Sequence, residues 1–275
     1  MIIFLLIVVF IYLFAIMPKI SNTPDFTPFM ARYYAHRGLH NNKNSNPENS
    51  MTAFKLAIEN QYGIELDVQL SKDGIPVIFH DFDLKRACGI DKKVEDCTYD
   101  ELKELYLFGS DEKIPHLKDV LNLVKGEVPL IIELKSDNMD TSICNITTSY
   151  LDDYNGIYCV ESFNPIIVLW YRRNRPNIIR GQLSTRYISK GKSLKGKILD
   201  FMLENLLFNF MTKPDFIAYN HEHSNNLSLM LCKKLYDTIT IAYTIQSRED
   251  LKRSFNKFDL FIFDSFTPKT KSINY

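Results

Sequence analysis

The feature of this sequence that most constrains its fold is an alternation that begins after residue 30. Short β-branched or aromatic runs alternate with longer amphipathic stretches, a pattern typical of parallel strands joined by helices. Eight runs are predicted to be strands, and they cover residues 32–36, 63–68, 129–134, 157–161, 178–183, 215–219, 238–243 and 258–263. Helical patterns lie between most of them, at residues 50–60, 117–125, 165–173, 194–210 and 248–256. Eight such units predict an α/β fold, the (β/α)8 TIM barrel.

One segment breaks this alternation after the second predicted strand. Lys72, Asp73 and Gly74 form a turn signal, and the apolar run at 75–79 follows Val68 too closely for a helical crossover. We therefore expect a strand that folds back on the second strand. Residues 70 to about 115 are predicted to form an insertion that begins with this strand.

The first 17 residues carry no charged side chain and only one polar group, that of Tyr12. As a helix that rises about 1.5 Å per residue they reach roughly 25 Å, the short end of what spans a bilayer. No basic residue precedes this run and no small-residue cleavage site ends it, which favours an uncleaved anchor over a cleaved signal. The lack of a polar stripe argues against a buried core helix. The sequence therefore predicts a transmembrane helix at residues 1–17.

Residues 18–29 contain three prolines among Ser, Asn and Thr, and we interpret them as an extended linker. Residues 30–275 are predicted to form the barrel domain. Basic residues occur only after the apolar run, which predicts that this domain lies on the cytoplasmic side of a single-pass membrane protein.

The charge balance and the cysteines argue against some classes of function. Lys and Arg number 33, as do Asp and Glu, so no net positive charge indicates a nucleic-acid partner. The 5 cysteines include no C-x-x-C pair, so they indicate neither a zinc site nor a disulfide framework. Charge-based chemistry must therefore come from local clusters of side chains.

Charged side chains cluster at the ends of the second and third predicted strands. Glu65 and Asp67 are two residues apart, as are Glu133 and Lys135, so each pair points to one face of its strand. In a barrel this face is the interior, where an unpaired carboxylate is costly. The three converging carboxylates are therefore predicted to bind a divalent cation, and oxygen ligands favour Ca²⁺ or Mg²⁺ over zinc.

Two histidines and two cations extend this cluster. His36 ends the first predicted strand and His80 ends the fold-back strand, and imidazoles transfer protons near neutral pH. Arg37 and Lys135 supply positive charge and are predicted to contact phosphate. Together with a divalent cation, these groups are equipped for in-line attack on a phosphodiester, in which negative charge builds up on the non-bridging oxygens.

Several short motifs follow one another along the chain. They are HRG at 36–38, PENS at 47–50, ELDV at 65–68, KDG at 72–74, FHD at 79–81, IPHL at 114–117, ELK at 133–135 and ESFN at 161–164. Their order and spacing resemble the signature of the glycerophosphodiester phosphodiesterase family, and the resemblance covers roughly residues 32–265.

The resemblance implies a TIM barrel with an insertion after the second strand. It implies that Glu65, Asp67 and Glu133 bind the divalent cation and that His36 and His80 act as acid and base. It also implies hydrolysis of a glycerophosphodiester to sn-glycerol 3-phosphate and an alcohol.

Two further residues are predicted to lie at the substrate. Glu48 is in the first βα-loop and would face the site, although it could instead cap the helix that begins near Asn49. Family members often carry Trp-Thr on the seventh strand and Thr-Asp-x-Pro on the eighth, where this chain has Tyr243 with Thr244 and FDSF at 263–266. Tyr243 keeps an aromatic wall, but its hydroxyl requires a partner.

Two other functions stay open beside glycerophosphodiester hydrolysis. A lysophospholipase D would act on lysophospholipids, and a membrane anchor would suit it. A non-catalytic barrel would bind a phosphodiester without cleaving it, but every expected reactive residue is present. The sequence therefore predicts a metal-dependent enzyme whose substrate is a small-molecule or lipid-derived glycerophosphodiester.

Overall fold

The computed structural model describes residues 1–188 and 190–269. In these ranges nine strands form one sheet, and they are β1 (Tyr34–His36), β2 (Gly63–Leu70), β3 (Pro76–Ile78), β4 (Leu130–Leu134), β5 (Tyr158–Ser162), β6 (Arg180–Ser184), β7 (Phe216–Asn220), β8 (Ile239–Ile245) and β9 (Leu260–Phe263). All except β3 pair in parallel with their neighbours, and β1 pairs with both β2 and β9, which closes the sheet. The prediction of an eight-stranded parallel barrel is confirmed.

Twelve α-helices occur in the same described ranges, and they are α1 (Ile2–Ile16), α2 (Thr27–Met30), α3 (Met51–Glu59), α4 (Lys85–Cys88), α5 (Tyr99–Leu102), α6 (Leu117–Val124), α7 (Ser142–Leu151), α8 (Pro165–Asn174), α9 (Leu194–Glu204), α10 (Asn209–Thr212), α11 (Leu227–Tyr236) and α12 (Arg248–Ser254). Ser50, Asn164 and Asn226 begin α3, α8 and α11 by accepting a hydrogen bond from a backbone N–H of the first turn. The single helix predicted at 194–210 is instead α9 and α10. Between them Leu206 takes a φ of 57°, which a right-handed helix does not contain.

Side chains along the barrel strands alternate between two environments. Ile64, Leu66 and Val68 of β2 pack outward in a large cluster with Phe54 of α3 and Val120 of α6. The side chains between them point into the barrel. The hydrophobic effect therefore fixes which face of β2 meets the helices, and Glu65 and Asp67 are left inside.

The interior of the barrel is apolar near the start of its strands. Tyr34, Ile131 and Cys159 belong to a buried cluster that also contains Phe26 and Phe29. The ring of Tyr34 is held by a 3.0 Å hydrogen bond from its hydroxyl to the carbonyl oxygen of Phe29. The two phenylalanines belong to the segment predicted as a linker, residues 18–29, which packs against the barrel at this end. Polar chemistry is left to the opposite end, where the strands finish.

The residues between β2 and α6 begin with the predicted fold-back strand. β3 runs antiparallel to β2, with Val68 opposite Ile78. Beyond β3, Phe79, Leu84, Val94 and other side chains form a separate buried cluster. This small core holds the segment against the barrel and places His80 beside the strand ends.

The N-terminal apolar helix is shorter than the sequence indicated. α1 has 15 residues, which at about 1.5 Å per residue reach about 22 Å, against a bilayer hydrocarbon core of about 30 Å. In the described part of the chain, no helix has both the length and the apolar character needed to cross a membrane. The predicted transmembrane helix at residues 1–17 is therefore not supported. The side of the membrane was inferred from that helix and stays a prediction.

The C-terminal end of α1 is instead bound to the barrel's outer helices. The Tyr12 hydroxyl lies 2.7 Å from the Ser228 Oγ, and the Cys232 thiol donates to the carbonyl oxygen of Ile16 at 3.2 Å. Ile16 is fully buried, whereas the side chains from Ile2 to Ile11 are exposed.

Replacing Gly181 with alanine is expected to destabilise the barrel. Gly181 of β6 lies beside Phe216 of β7, and an added Cβ would come within 2.1 Å of the buried Phe216 ring. Relieving this overlap should cost about 1–3 kcal/mol of unfolding free energy, or several degrees in the thermal midpoint. Gly196→Ala is the control, because its nearest neighbour is the flexible Lys192 side chain at 3.3 Å. Equal thermal midpoints for the two variants would contradict this prediction.

Candidate active site

His36, Arg37 and Gly38 form the turn that leaves β1. Arg37 and Gly38 have φ values of 55° and 82°, and a Cβ on Gly38 would lie 2.9 Å from the Cβ of Ala53, so this position requires glycine. The turn directs the backbone N–H of Arg37 to the Oε2 of Glu65 at 3.0 Å. The end of β1 is thereby joined to the end of β2.

The three predicted carboxylates meet at this end of the barrel. One oxygen from each of Glu65, Asp67 and Glu133 lies within 4.8 Å of the other two. The pairing of β2 with β4 explains this, because it sets Asp67 beside Glu133. Their exposed fractions are only 3%, 1% and 7%, so water cannot neutralise the mutual repulsion.

The pKa values of these carboxyls respond to that repulsion. Burial, reinforced by the charges of Asp67 and Glu133, raises the pKa of Glu65 well above its usual range. Burial raises the pKa of Glu133 to about 7, although Lys135 opposes the rise. Burial also acts to raise the pKa of Asp67, but Lys135, His80 and Arg37 hold it well below its usual range. A divalent cation at this cluster would allow all three groups to ionise.

Two basic side chains neutralise part of this charge. The Lys135 Nζ lies 3.0 Å from the Oε1 of Glu133 and 3.5 Å from the Oδ1 of Asp67. The Arg37 Nε lies 3.4 Å from the Oδ2 of Asp67. Arg37 and Lys135 therefore both lie beside the carboxylates, and their contact with phosphate stays a prediction.

The two predicted catalytic histidines stand at the same cluster. The His36 Nε2 is 4.0 Å from the Oε2 of Glu65, and its Nδ1 is 3.4 Å from the Oδ2 of Asp264. The His80 Nδ1 is 2.5 Å from the Oδ1 of Asp81. Burial, with help from Arg37, lowers the pKa of His36 to about 4, and burial lowers the pKa of His80. The His36 imidazole is therefore neutral near pH 7, whereas Asp67 and the hydrogen bond to Asp81 oppose the lowering at His80.

A small cavity connects these groups. Its volume is about 150 Å³, and it is lined by His36, Arg37, Glu65, His80, Glu133, Glu161, Phe163, Leu183, Tyr243, Thr244 and Ile262. Tyr243 forms an aromatic wall with Phe163, and its hydroxyl donates to the carbonyl oxygen of Ser184 at 2.7 Å. Tyr243, which stands where family members often carry Trp, thus has the hydrogen-bond partner that its hydroxyl requires.

Glu48, like Lys135, is a predicted substrate-contacting residue that lies outside this lining. Its carboxylate accepts hydrogen bonds from Arg37 at 2.6 Å, Asn42 at 2.7 Å and Arg86 at 2.7 and 2.9 Å. Burial favours a raised pKa for Glu48, but the bonds to Arg86 and Arg37 lower it to about 2. It does not cap α3, since Ser50 does so. In the structure Glu48 therefore fixes the position of the Arg37 guanidinium by accepting a hydrogen bond from it.

Four further residues at this site were not predicted to act in it. Glu161 is the penultimate residue of β5 and pairs in register with Glu133, so the strand-end rule that identified Glu133 could have found it. Arg86 joins Glu48 to Asp81 from the segment after β3, and nothing local in the sequence indicates this. His40 and Asp264 lie beside His36, and only the meeting of β9 with β1 brings Asp264 there.

In chelator, we expect the stability of the protein to fall as the pH rises from about 7 to about 8.5. Histidines of the unfolded chain, with a pKa of about 6.5, are mostly neutral above about pH 7, so the buried carboxyls dominate there. Glutamates of the unfolded chain are already ionised there, whereas Glu133 has a pKa of about 7 and burial raises the pKa of Glu65 and Glu161 further. The folded chain then holds more protons, and its unfolding free energy falls by up to about 1.4 kcal/mol per pH unit and group.

Thermal unfolding of the chelated protein at several pH values in this window measures that slope. The Glu133→Gln variant should show a flatter slope, and saturating Ca²⁺ or Mg²⁺ should remove it. A thermal midpoint that rises with pH in chelator would contradict the raised pKa values of the buried carboxyls.

Eight parallel strands form a closed barrel, and buried carboxylates and two histidines lie where the strands end. These features define a TIM-barrel protein with a candidate divalent-cation site. The model of the glycerophosphoryl diester phosphodiesterase family matches residues 36–185. The chain belongs to this family, as its ordered motifs indicated.

Individual relatives support the same assignment. The lysophospholipase D GDPD1 of Mus musculus is 35% identical in an alignment of 260 positions that covers 83% of this chain and 81% of that protein. A glycerophosphodiester phosphodiesterase of Bacillus altitudinis is 39% identical over 116 residues, which are 40% of this chain. That match spans about half of the bacterial protein, 46% of its length.

Solved structures share the fold. A phosphodiesterase of Oleispira antarctica, in complex with the product sn-glycerol-3-phosphate, superposes with a TM-score of 0.69 at 23% identity. The alignment covers 86% of this chain and 94% of that one. This likeness extends over nearly the whole barrel.

Proposed function

We propose that this protein hydrolyses glycerophosphodiesters to sn-glycerol 3-phosphate and a free alcohol. The observation that carries the proposal is the convergence of three buried carboxylates, two imidazoles and the Arg37 guanidinium at one cavity. Family membership supports the reaction class. A relative from Bacillus altitudinis bears the name of this activity, and the Oleispira antarctica structure contains its phosphate product.

Glu65, Asp67 and Glu133 are proposed to hold the divalent cation, Ca²⁺ or Mg²⁺. Ca²⁺ and Mg²⁺ prefer oxygen ligands, and these three residues supply only carboxylate oxygens, so they fit such an ion. In addition, the Oδ1 of Asp67 is buried and accepts no hydrogen bond from any residue that the structure describes. When bound, the cation would supply electrostatic stabilisation for charge on the phosphate oxygens.

His36 and His80 are proposed to transfer the protons. Asp264 lies at the Nδ1 of His36, so a proton on that nitrogen faces Asp264 and leaves the Nε2 free to accept one from the attacking hydroxyl. Asp81 orients His80 in the same way through its Nδ1. In its imidazolium form, His80 would donate the proton of its Nε2 to the leaving alcohol and become neutral.

Arg37 is proposed to bind the phosphate directly, because it lines the cavity while Glu48 and Asp67 hold it in place. Lys135 pairs with Glu133 and Asp67. Lys135 is proposed to contact the phosphate from beside these carboxylates, which would also hold the cation. Phe163 and Tyr243 would form the wall against the glycerol moiety.

Hydrolysis of lysophospholipids is the second candidate. It is favoured by the mouse relative, a lysophospholipase D, because the alignment with this chain covers 81% of that protein's length. Both reactions use the same phosphodiester chemistry and differ in whether the glycerol carries an acyl chain. A barrel that binds without catalysis is disfavoured, because both imidazoles line the cavity beside the carboxylates.

The test is product analysis with the full chain and two substrates in parallel. Glycerophosphocholine should release sn-glycerol 3-phosphate when Ca²⁺ or Mg²⁺ is present and not in chelator. Lysophosphatidic acid released faster from lysophosphatidylcholine would favour the lysophospholipase D. The Glu65→Gln, Glu133→Gln double variant controls for a contaminating hydrolase. No metal-dependent release from either substrate by the folded protein would reject the proposal.

A further inference from the structure

A second group of possible metal ligands lies on the far side of His36 from the carboxylates. It consists of His36, His40 and Asp264, and one donor atom from each lies within 4.8 Å of the other two. The His36 Nδ1 is 3.4 Å from the Oδ2 of Asp264, and the His40 Nε2 is 3.5 Å from its Oδ1. Glycerophosphodiester hydrolysis, as proposed above, does not require His40.

These distances are long for hydrogen bonds, which join nitrogen and oxygen at about 2.7–3.2 Å. They match the spacing between two ligands of one tetrahedral ion. Two atoms each bound at about 2.0–2.1 Å to tetrahedral zinc lie about 3.3–3.4 Å apart. Each oxygen of the Asp264 carboxylate therefore faces one imidazole nitrogen at about the separation of two ligands of one ion.

His40 supplies an independent observation. Its side chain is nine-tenths buried, with 10% of its surface exposed. Neither of its ring nitrogens makes a hydrogen bond of acceptable geometry to any residue in the described ranges. Buried polar atoms are nearly always satisfied, so two unsatisfied nitrogens in one ring indicate a missing ligand such as an ion.

We propose that His36, His40 and Asp264 bind a transition-metal ion, with Zn²⁺ as the preferred species. Two imidazole nitrogens and a carboxylate are a donor set that zinc favours and that Ca²⁺ and Mg²⁺ do not. The Ser265 hydroxyl donates a hydrogen bond to the Oδ1 of Asp264 at 2.9 Å, which helps to orient this carboxylate as a ligand. His40 and Asp264 also line a groove of about 690 Å³, which supplies an entry path and room for a water as fourth ligand.

Zinc at this site would inhibit the enzyme, an extension that depends on the proposed function. The ion would occupy the Nδ1 of His36, so the single proton of the imidazole would stay on the Nε2. That nitrogen could then no longer accept a proton from the attacking hydroxyl. His40 and Asp264 would thus form a zinc-dependent switch on His36.

The binding test is a titration of the full chain with Zn²⁺ by calorimetry and with Co²⁺ by visible absorption. The Glu65→Gln, Glu133→Gln double variant, which lacks the carboxylate cluster, should keep one Zn²⁺ site and give the intense bands of four-coordinate Co²⁺. His40→Asn and Asp264→Asn in that background should weaken binding more than about 100-fold, and His223→Asn, a change at a histidine elsewhere, should not. His40→Cys supplies another zinc ligand and should restore binding.

Zn²⁺ binding that is unchanged by His40→Asn and Asp264→Asn would overturn the site, as would a Co²⁺ spectrum typical only of six-coordinate oxygen ligation. The activity test adds Zn²⁺ at saturating Ca²⁺ or Mg²⁺ and compares its inhibition of the wild type and His40→Asn. The variant should need about 100-fold more zinc for the same fractional inhibition, and equal inhibition would refute the switch. A protein that binds zinc but hydrolyses nothing would refute the proposed function and leave the metal site intact.

Discussion

Replacing His36 with alanine is expected to reduce kcat by about 10³-fold, the typical contribution of a positioned acid or base. The His36 Nε2 lies 4.0 Å from the Oε2 of Glu65 in the carboxylate cluster, and the ring lines the cavity. Its pKa of about 4, lowered mainly by burial and then by Arg37, keeps the imidazole neutral and able to accept a proton at pH 7. No other described residue offers an imidazole in contact with both Glu65 and Asp264.

The same substitution should leave the fold intact, because His36 belongs to neither of the hydrophobic clusters that pack the barrel strands. Circular dichroism and the thermal midpoint check this directly. His223→Ala is the matched control, since His223 ends a short 3-10 helix after β7 and is not part of the cavity lining. Turnover near the wild-type rate in folded His36→Ala would remove His36 from the chemistry and leave His80 as the imidazole to test.

Removing the divalent cation is expected to have an effect at least as large, a loss of about 10³-fold or more in turnover. Without the cation, the positive charge near the phosphate comes from Arg37 and Lys135, and carboxylates already pair with both of these side chains. Adding Ca²⁺ or Mg²⁺ back to the chelated protein should restore the rate. The concentration dependence of this recovery measures the affinity of the site.

The Glu65→Gln variant distinguishes loss of the cation from disruption of the fold. The amide keeps the size of the side chain and an oxygen for the N–H of Arg37, which lies 3.0 Å from the carboxylate. Its lost charge should weaken the cation site, so saturating Ca²⁺ or Mg²⁺ should fail to restore the wild-type rate. Glu127→Gln, at an exposed position, is the control. Full activity of the wild type in chelator would show that the carboxylates serve another purpose.

The carboxylate cluster was predictable because its causes are local. Glu65 and Asp67 are two residues apart on one strand, and their apolar neighbours Ile64 and Leu66 fix which face points outward. Once a parallel barrel is inferred, all strand ends meet at one face, so Glu133 must approach them. The same reasoning applied to β5 would have added Glu161.

The predictions that failed or were incomplete depend on long-range packing. The apolar run at the N-terminus indicated a membrane span, but whether it is long enough depends on where the helix ends, and α1 ends where Ile16 becomes buried against the barrel. Glu48 was expected at the substrate, yet Arg86, 38 residues away, holds it behind Arg37. No periodicity in the sequence links two residues so far apart.

Alternation and residue order therefore specified the eight strands, their inward faces and the carboxylate cluster, because each follows from the two-residue repeat of a strand. Barrel closure decided the surroundings of His36. The pairing of β9 with β1 brings Asp264 to a histidine 228 residues earlier in the chain, and the turn after Gly38 brings His40 to the same carboxylate. Such contacts arise only when the first and last strands meet, and they determine which nitrogen of His36 is free to react.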